Sequence, residues 1–233
     1  MKEILYHGIP IDGRMPLFNA EMRQAVRDDR KGQTRRPIDP QLKKWSFQNG
    51  SLFYSFEKAH KGVKASSVGP FGNEEQAWRY FINKHCPWTV GDVRCMCEPL
   101  MRNAASGMAH YRDDWRLSYF AAPAISLITG KPIPWRWKRD TLTSIHMPTE
   151  AARTICRVTD IRVERVQDID YDDVIAEGVK QKWTCISPGL GSYAHDNDVF
   201  DDFQALWNLI YAKRGYSFDV NPHVWVNVFE QVM

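Results

Sequence analysis

The sequence predicts an α+β fold built around one core, and three observations point to it. The run Ile155 to Val166 is rich in β-branched residues, as a strand packed within a sheet requires. The stretch Val224 to Phe229 places Val224, Val226 and Val228 on one face and Trp225, Asn227 and Phe229 on the other, so both faces are largely apolar and the strand is expected to be central. Around these strands lie short amphipathic segments that begin on capping residues, which marks them as helices. Few strands, short helices and long irregular stretches fit a compact α+β or small-barrel core, in one domain spanning residues 1–233.

Taken in order, the first helix is expected after Asn19. Phe18, Met22, Ala25 and Val26 fall at helical spacing, Glu21 sits in the first turn where the helix dipole favours it, and Gly32 is the expected terminator. This helix carries Lys31 at its C-terminal end. Pro37 and Pro40 follow, and from about 41 to 87 aromatic residues mix with Gly and Ser without a steady period. That stretch reads as an insertion, with hairpin content around Leu52 to Phe56 and a short helix around Glu74 to Ile82. The turn Val90-Gly91-Asp92 leads into a strand from Val93 to Cys97, and a second insertion covers about 99–140. In the strand Ile155 to Val166 the alternation breaks at Thr159-Asp160, which predicts a bulge or a strong twist. Asp170 caps a short helix from Tyr171 to Gly178, a third insertion covers about 180–197, and Phe200, Phe203, Leu206, Trp207 and Ile210 form the apolar stripe of a last helix.

Composition narrows the function classes. With 233 residues, 43% of them hydrophobic, the chain has material for a sizeable core, and a folded, soluble protein is expected. Its longest apolar run, Tyr119 to Ile128, is interrupted by Pro123 and falls well short of the roughly 20 residues of a membrane span. The opening Met1-Lys2-Glu3-Ile4 lacks the pattern of a signal peptide, so a cytoplasmic location is expected. The five cysteines are odd in number and match no disulfide framework, which predicts free thiols. Cys95 and Cys97 share a strand face and follow His85-Cys86, but no spacing completes a zinc set, so no metal is expected. Gly189-Leu190-Gly191-Ser192 carries no phosphate-binding fingerprint, and no cofactor is expected.

The net charge of +3 is small, but it is unevenly placed. Arg23, Arg27, Arg30, Lys31, Arg35, Arg36, Lys43 and Lys44 crowd one segment, while Asp168 to Asp202 is strongly acidic. The basic segment is either an anion-binding surface or the partner of the acidic one within the fold.

Within it, Arg30-Lys31-Gly32-Gln33-Thr34-Arg35-Arg36 is the most informative run. A lysine beside a threonine, joined by a carboxylate from elsewhere, has the parts of an activated nucleophile. Alternatively, Arg30, Lys31, Arg35 and Arg36 grip phosphates, or Lys31 caps a helix end and Thr34 sits on a strand. Trp135-Arg136-Trp137-Lys138-Arg139 interleaves indoles with cations, which suits base stacking on a nucleic acid and equally suits a core strand with its cations turned outward. His146 could line a cleft or hydrogen-bond its own turn.

Several motifs resemble, in order, those of the ASCH-domain proteins of phages and prophages. They are Phe18-Asn19-Ala20-Glu21-Met22, Arg30 to Arg36, Gly91-Asp92 before a strand ending in Glu98, Ser144-Ile145-His146-Met147-Pro148, Val158 to Ile169, Ala176-Glu177-Gly178 and Asn221-Pro222-His223-Val224-Trp225-Val226. The resemblance implies a small PUA-like β-barrel with flanking helices, whose cleft binds RNA, nucleosides or other parts of nucleic acids. It also implies a bacterial host. Within the wider family, small acetylcytidine amidohydrolases use a lysine, a threonine and a glutamate, and the resemblance places these at Lys31, Thr34 and Glu177. In that reading Thr34 attacks an amide carbonyl, Lys31 takes its proton and Glu177 orients the lysine. Lys31 would then need a lowered pKa; burial and nearby arginines lower it and Glu177 raises it, so the sequence leaves the sign open.

The departures are Asp29-Arg30-Lys31-Gly32, which lacks a hydroxyl common in the family, and Arg94-Cys95-Met96-Cys97-Glu98, which lacks an aromatic residue. The expected function is therefore binding of RNA, another single-stranded nucleic acid or a modified nucleoside in a basic cleft, with hydrolysis of an acyl amide such as acetylcytidine. The alternative is a non-catalytic phage protein that binds a host or virion protein through its insertions.

Overall fold

The computed structural model describes residues 5–6, 9–39, 42–48, 51–56, 67–115, 122–180, 183–187, 192–195 and 199–233. The chain runs through β1 (Leu5–Tyr6), β2 (Ile9–Pro10), β3 (Gly13–Arg14), α1 (Ala20–Arg27), β4 (Gln33–Pro37), β5 (Leu42–Gln48), β6 (Ser51–Phe56), β7 (Ser67–Phe71) and α2 (Glu74–His85). It continues with β8 (Val93–Cys95), β9 (Leu100–Arg102), β10 (Ala109–Tyr111), α3 (Arg112–Trp115), β11 (Thr141–Leu142) and β12 (Ile155–Arg165). The last elements are α4 (Tyr171–Ala176), β13 (Trp183–Ser187), β14 (Ser192–His195), α5 (Val199–Tyr211) and β15 (His223–Gln231). Two compact units emerge, one made of Met1–Asp29, Val90–Thr159 and Phe229–Met233, the other of Arg30–Thr89 and Asp160–Val228.

In the first unit α1 begins where the sequence places it, with the Asn19 side chain accepting from the Met22 N–H at 2.8 Å. It stops at Arg27, short of Gly32, because Asp29 takes the left-handed conformation (φ 56°) that aspartate tolerates. β8 pairs in parallel with β3 and antiparallel with the opening of β12, Ile155 opposite Cys95. A second sheet runs β10-β9-β11. Cys95, Leu100, Ala109, Tyr111, Ile133 and Met147 form the buried core of this unit, and Trp135 and Trp137 pack half-buried against it. Ion pairs fasten its helix: Arg23 grips Asp113 at 2.7 and 3.0 Å, and Arg27 donates to Glu98 at 2.7 Å. Glu98 is fully buried and also accepts two bonds from Arg153, at 2.9 and 2.8 Å.

In the second unit the strand order is β12-β15-β4, with Val224 to Val228 of β15 paired antiparallel to Pro37 to Gln33. Side chains alternate across this ladder. Val224 and Val226 bury one face against Val174 of α4 and Phe203, Trp207 and Tyr211 of α5. Trp225 faces the other way and stacks on Phe81 of α2 at 5.3 Å between ring centres. The 41–87 stretch contains the antiparallel sheet β5-β6-β7 together with α2, and within 180–197 lies the hairpin β13-β14.

The structure corrects the barrel expected from the family resemblance. It is mixed α+β with open sheets: one order ends on β3 and the other on β4, and no described strand joins these ends. Closing a barrel requires several strands of similar length, tilted and staggered so that the last pairs with the first. Among the described strands that carry these orders the lengths are unequal, 11 residues in β12 and 9 in β15 against two in β3. Among the described residues no helix is long and apolar enough to cross a membrane.

Candidate functional site

Two groups of residues singled out by the sequence are found in different units. The first centres on Lys31 and Glu177. α4 starts on Asp170, whose side chain accepts from the Asp173 N–H, and it ends at Glu177 because Gly178 adopts φ 88° and turns the chain away. That end docks on the segment preceding β4, where the Gly32 N–H donates to the Ala176 carbonyl at 3.0 Å. The Lys31 ammonium consequently donates to Glu177 Oε2 at 2.9 Å and to the Glu177 carbonyl at 2.6 Å.

Gln33 and Arg35 extend this contact along the same face of β4. Gln33 donates to the Asp173 carbonyl at 2.9 Å. Arg35, 1% exposed, donates to Asp173, to Glu164 at 3.1 Å and to Glu177 Oε1 at 3.5 Å. Arg162 completes the group, bonding Glu164 at 2.7 Å and Asp173 at 3.3 Å. The basic and acidic segments of the sequence thus meet here as buried and half-buried ion pairs.

Burial lowers the Lys31 pKa; Glu177 opposes this by charge and hydrogen bond, and Arg36 and Arg35 add to the lowering. The net direction, open in the sequence, is downward. Asp173 shows the opposite balance: burial pushes its carboxyl up, but Arg35, with Gln33 and Arg162, outweighs burial and holds it below the ordinary range.

Thr34 stands apart from the pair. It falls between Gln33 and Arg35 on a regular strand, so its hydroxyl is directed to the opposite face. There its partner across the ladder is Asn227, whose side-chain oxygen accepts weakly from the Cys86 thiol at 3.9 Å. Thr34 is 1% exposed, and its Oγ1 has no hydrogen-bond partner among the described residues. The structure brings Lys31 to Glu177 and places Thr34 on the other side of β4. Arg36 is half-buried and donates to the Tyr211 hydroxyl at 2.8 Å, and Arg30 is half-buried.

The second group lies in the first unit. Trp135 and Trp137 meet edge to face at 4.8 Å, and the Trp135 indole N–H donates to the Arg139 carbonyl at 3.0 Å. The Arg136 guanidinium lies 5.3 Å from the Trp137 ring centre and pairs with Glu150. Lys138 and Arg139 are exposed. Beside them opens a pocket of about 400 Å³ lined by Trp137, Lys138, Arg139, Thr141, Leu142, Thr143 and His146. His146 is exposed at the end of a 3₁₀ turn, while the next residue, Met147, is fully buried and anchors that turn. Arg139 closes the tryptophan-cation run singled out in the sequence, whereas Thr141, Leu142 and Thr143 were not among the residues read from it; only their closeness to that run marked them.

Cys95, Cys97 and Cys156 are buried free thiols. Among the described residues no cluster of three or more His, Cys, Asp or Glu is placed to hold a metal. Residues 189–191 of the Gly189-Leu190-Gly191-Ser192 loop lie outside the described residues, as does the Met1-Lys2-Glu3-Ile4 opening. Comparison with models of known families, with characterised proteins and with solved structures finds no match to this chain.

Proposed function

We propose that this protein binds RNA, another single-stranded nucleic acid or a modified nucleoside, and that it does so through the segment Trp135, Arg136, Trp137 and Lys138. One observation carries the reading: a half-buried indole and two exposed cations border the same pocket, Trp137 beside Lys138 and Arg139. An aromatic face supplies stacking for any base, and the cations supply attraction to phosphate. The side of Trp137 packed against the core and against Trp135 fixes the ring in place, which lowers the entropy lost on binding. The resemblance to phage and prophage ASCH-domain proteins supports the same ligand class; the barrel forms no part of the proposal.

Hydrolysis by Lys31, Thr34 and Glu177 forms no part of it either, because the hydroxyl and the ion pair occupy opposite faces of β4. Arg35 adds little to the binding surface, since its side chain is buried among carboxylates.

The test is a titration of short single-stranded RNA by fluorescence anisotropy, with the wild type and with Trp137→Ala and Lys138→Ala. Removing the stacking ring is expected to cost about 1–3 kcal/mol of binding. Affinity should also drop as salt rises from about 50 to about 200 mM. A wild type that shows no salt-sensitive RNA binding, and instead retains a co-purifying host or phage protein, would overturn the proposal in favour of a protein-interaction role.

A further inference from the structure

We infer that the Trp137–His146 pocket is built for a single phosphate-bearing nucleotide, free or at the end of a strand, and not for a run of nucleotides. The inference rests on the nucleic-acid reading above and narrows it.

Size comes first. At about 400 Å³ the pocket lies near the lower end of the range for small-molecule sites, roughly 300–1,000 Å³. A site that tracks a strand needs a groove with several stacking faces in succession. Here Trp137 is the indole in the lining and His146 its imidazole, while Trp135, outside the lining, is held by its edge contact with Trp137 and by its hydrogen bond to the Arg139 carbonyl. The lining therefore offers one broad stacking face, the Trp137 indole, and one smaller ring, the His146 imidazole, enough for one base and not for a run of them.

Charge agrees with one phosphate. Lys138 and Arg139 line the pocket, whereas Arg136 is engaged by Glu150. Asp140, the acidic residue next to Arg139, turns to Arg102 at 3.7 Å and is not in the lining. The pocket thus presents two adjacent cations with no carboxylate among the residues that line it. Thr141 and Thr143 add hydroxyls that can donate to phosphate or ribose oxygens, and Leu142 adds an apolar wall. Stacking surface, paired cations and hydroxyl donors within one small opening match the base, phosphate and sugar of one nucleotide.

The experiment measures binding of a nucleoside, its 5′-monophosphate, and short RNA strands with either a 5′-phosphate or a 5′-hydroxyl to the full chain by calorimetry. The monophosphate is expected to bind within about tenfold of the phosphorylated strand and at least about tenfold more tightly than the nucleoside. The slope of log affinity against log salt is expected to stay near about −0.7, the value for one contacted phosphate, as the strand lengthens. Lys138→Ala should abolish the preference for monophosphate over nucleoside; being exposed, it tests the site without disturbing the core, which Trp137→Ala does not guarantee. RNA binding with a monophosphate more than about tenfold weaker, or with a slope that steepens with length, would overturn this inference and leave the broader reading standing. A nucleoside bound as well as its monophosphate would overturn it too. No binding by any of the four would end both.

Discussion

Lys31 and Glu177 are joined twice across 146 positions of sequence, the ammonium donating at 2.9 Å to the carboxylate and at 2.6 Å to the carbonyl of the same residue. Both side chains are buried, so neither has water to fall back on. This connection holds the end of α4 against the segment preceding β4.

Breaking that pair is expected to be costly. Lys31→Met leaves Glu177 with the longer contact to Arg35 at 3.5 Å, and truncating one member of a buried pair costs about 3–5 kcal/mol. Replacing both, as Lys31→Met with Glu177→Leu, should recover much of that loss because no charge remains stranded. Urea unfolding measures it; a single variant within about 0.5 kcal/mol of the wild type would show that the pair contributes nothing.

Thr34→Val should behave in the opposite way. The Thr34 hydroxyl is buried without a hydrogen-bond partner among the described residues, and such a group costs about 1–3 kcal/mol of desolvation. Valine has nearly the same shape, so the variant is expected to match or exceed wild-type stability and to bind RNA unchanged. A clear loss of stability would reveal that the hydroxyl is satisfied, and an accompanying loss of turnover on acetylcytidine would restore a chemical role for it.

Asp173 should leave a mark on acid stability. Although burial raises its pKa, Arg35, Gln33 and Arg162 prevail, and the folded value lies below the unfolded one of about 3.9. A carboxyl depressed on folding adds stability that is present above the unfolded pKa and disappears as pH falls through the folded pKa. In Asp173→Asn the urea midpoint is therefore expected to fall less steeply below about pH 4 than in the wild type. Parallel curves for the two proteins would remove Asp173 from the account.

In the first unit, Glu98→Gln tests the fastening of α1. Glu98 is fully buried and serves both Arg27 and Arg153, so neutralising it removes the carboxylate that the two guanidinium groups share, with a cost on the order of 3 kcal/mol. Arg153 keeps its second partner, Asp114, and its stacking on Tyr111 at 3.8 Å from the ring centre, so Arg27 should suffer more. A thermal midpoint unchanged by the substitution would contradict this.

Local elements were readable where a short stretch of sequence contains its own physics. Asn19 and Asp170 cap α1 and α4 because their side chains reach the backbone three residues on, a distance set within one turn. Of the stripe Phe200, Phe203, Leu206, Trp207 and Ile210, Phe203 and Trp207 lie on the buried face of α5 with Val199 and Tyr211, while Phe200 and Ile210 are exposed; the doubly apolar stretch ending at Phe229 became β15, flanked by β12 and β4. The interrupted alternation at Thr159-Asp160 falls where both residues are exposed and where the two compact units divide. The end of α1 was less readable, since a left-handed aspartate at 29 competes with Gly32 and only the surrounding contacts decide between them.

By itself the sequence determined the α+β class, the capped helices, the two long strands, and the types of residue available for a site, because propensity, capping and alternation act over a few neighbours. Only the tertiary structure decided that the sheets stay open, that Arg35 is spent on carboxylates, that Thr34 turns away from Lys31 and Glu177, and that a pocket opens beside Trp137. Those outcomes depend on strand register and on which chain segments meet across long separations. A shift of one residue in register exchanges the two faces of a strand, and no local pattern records where a distant carboxylate will dock.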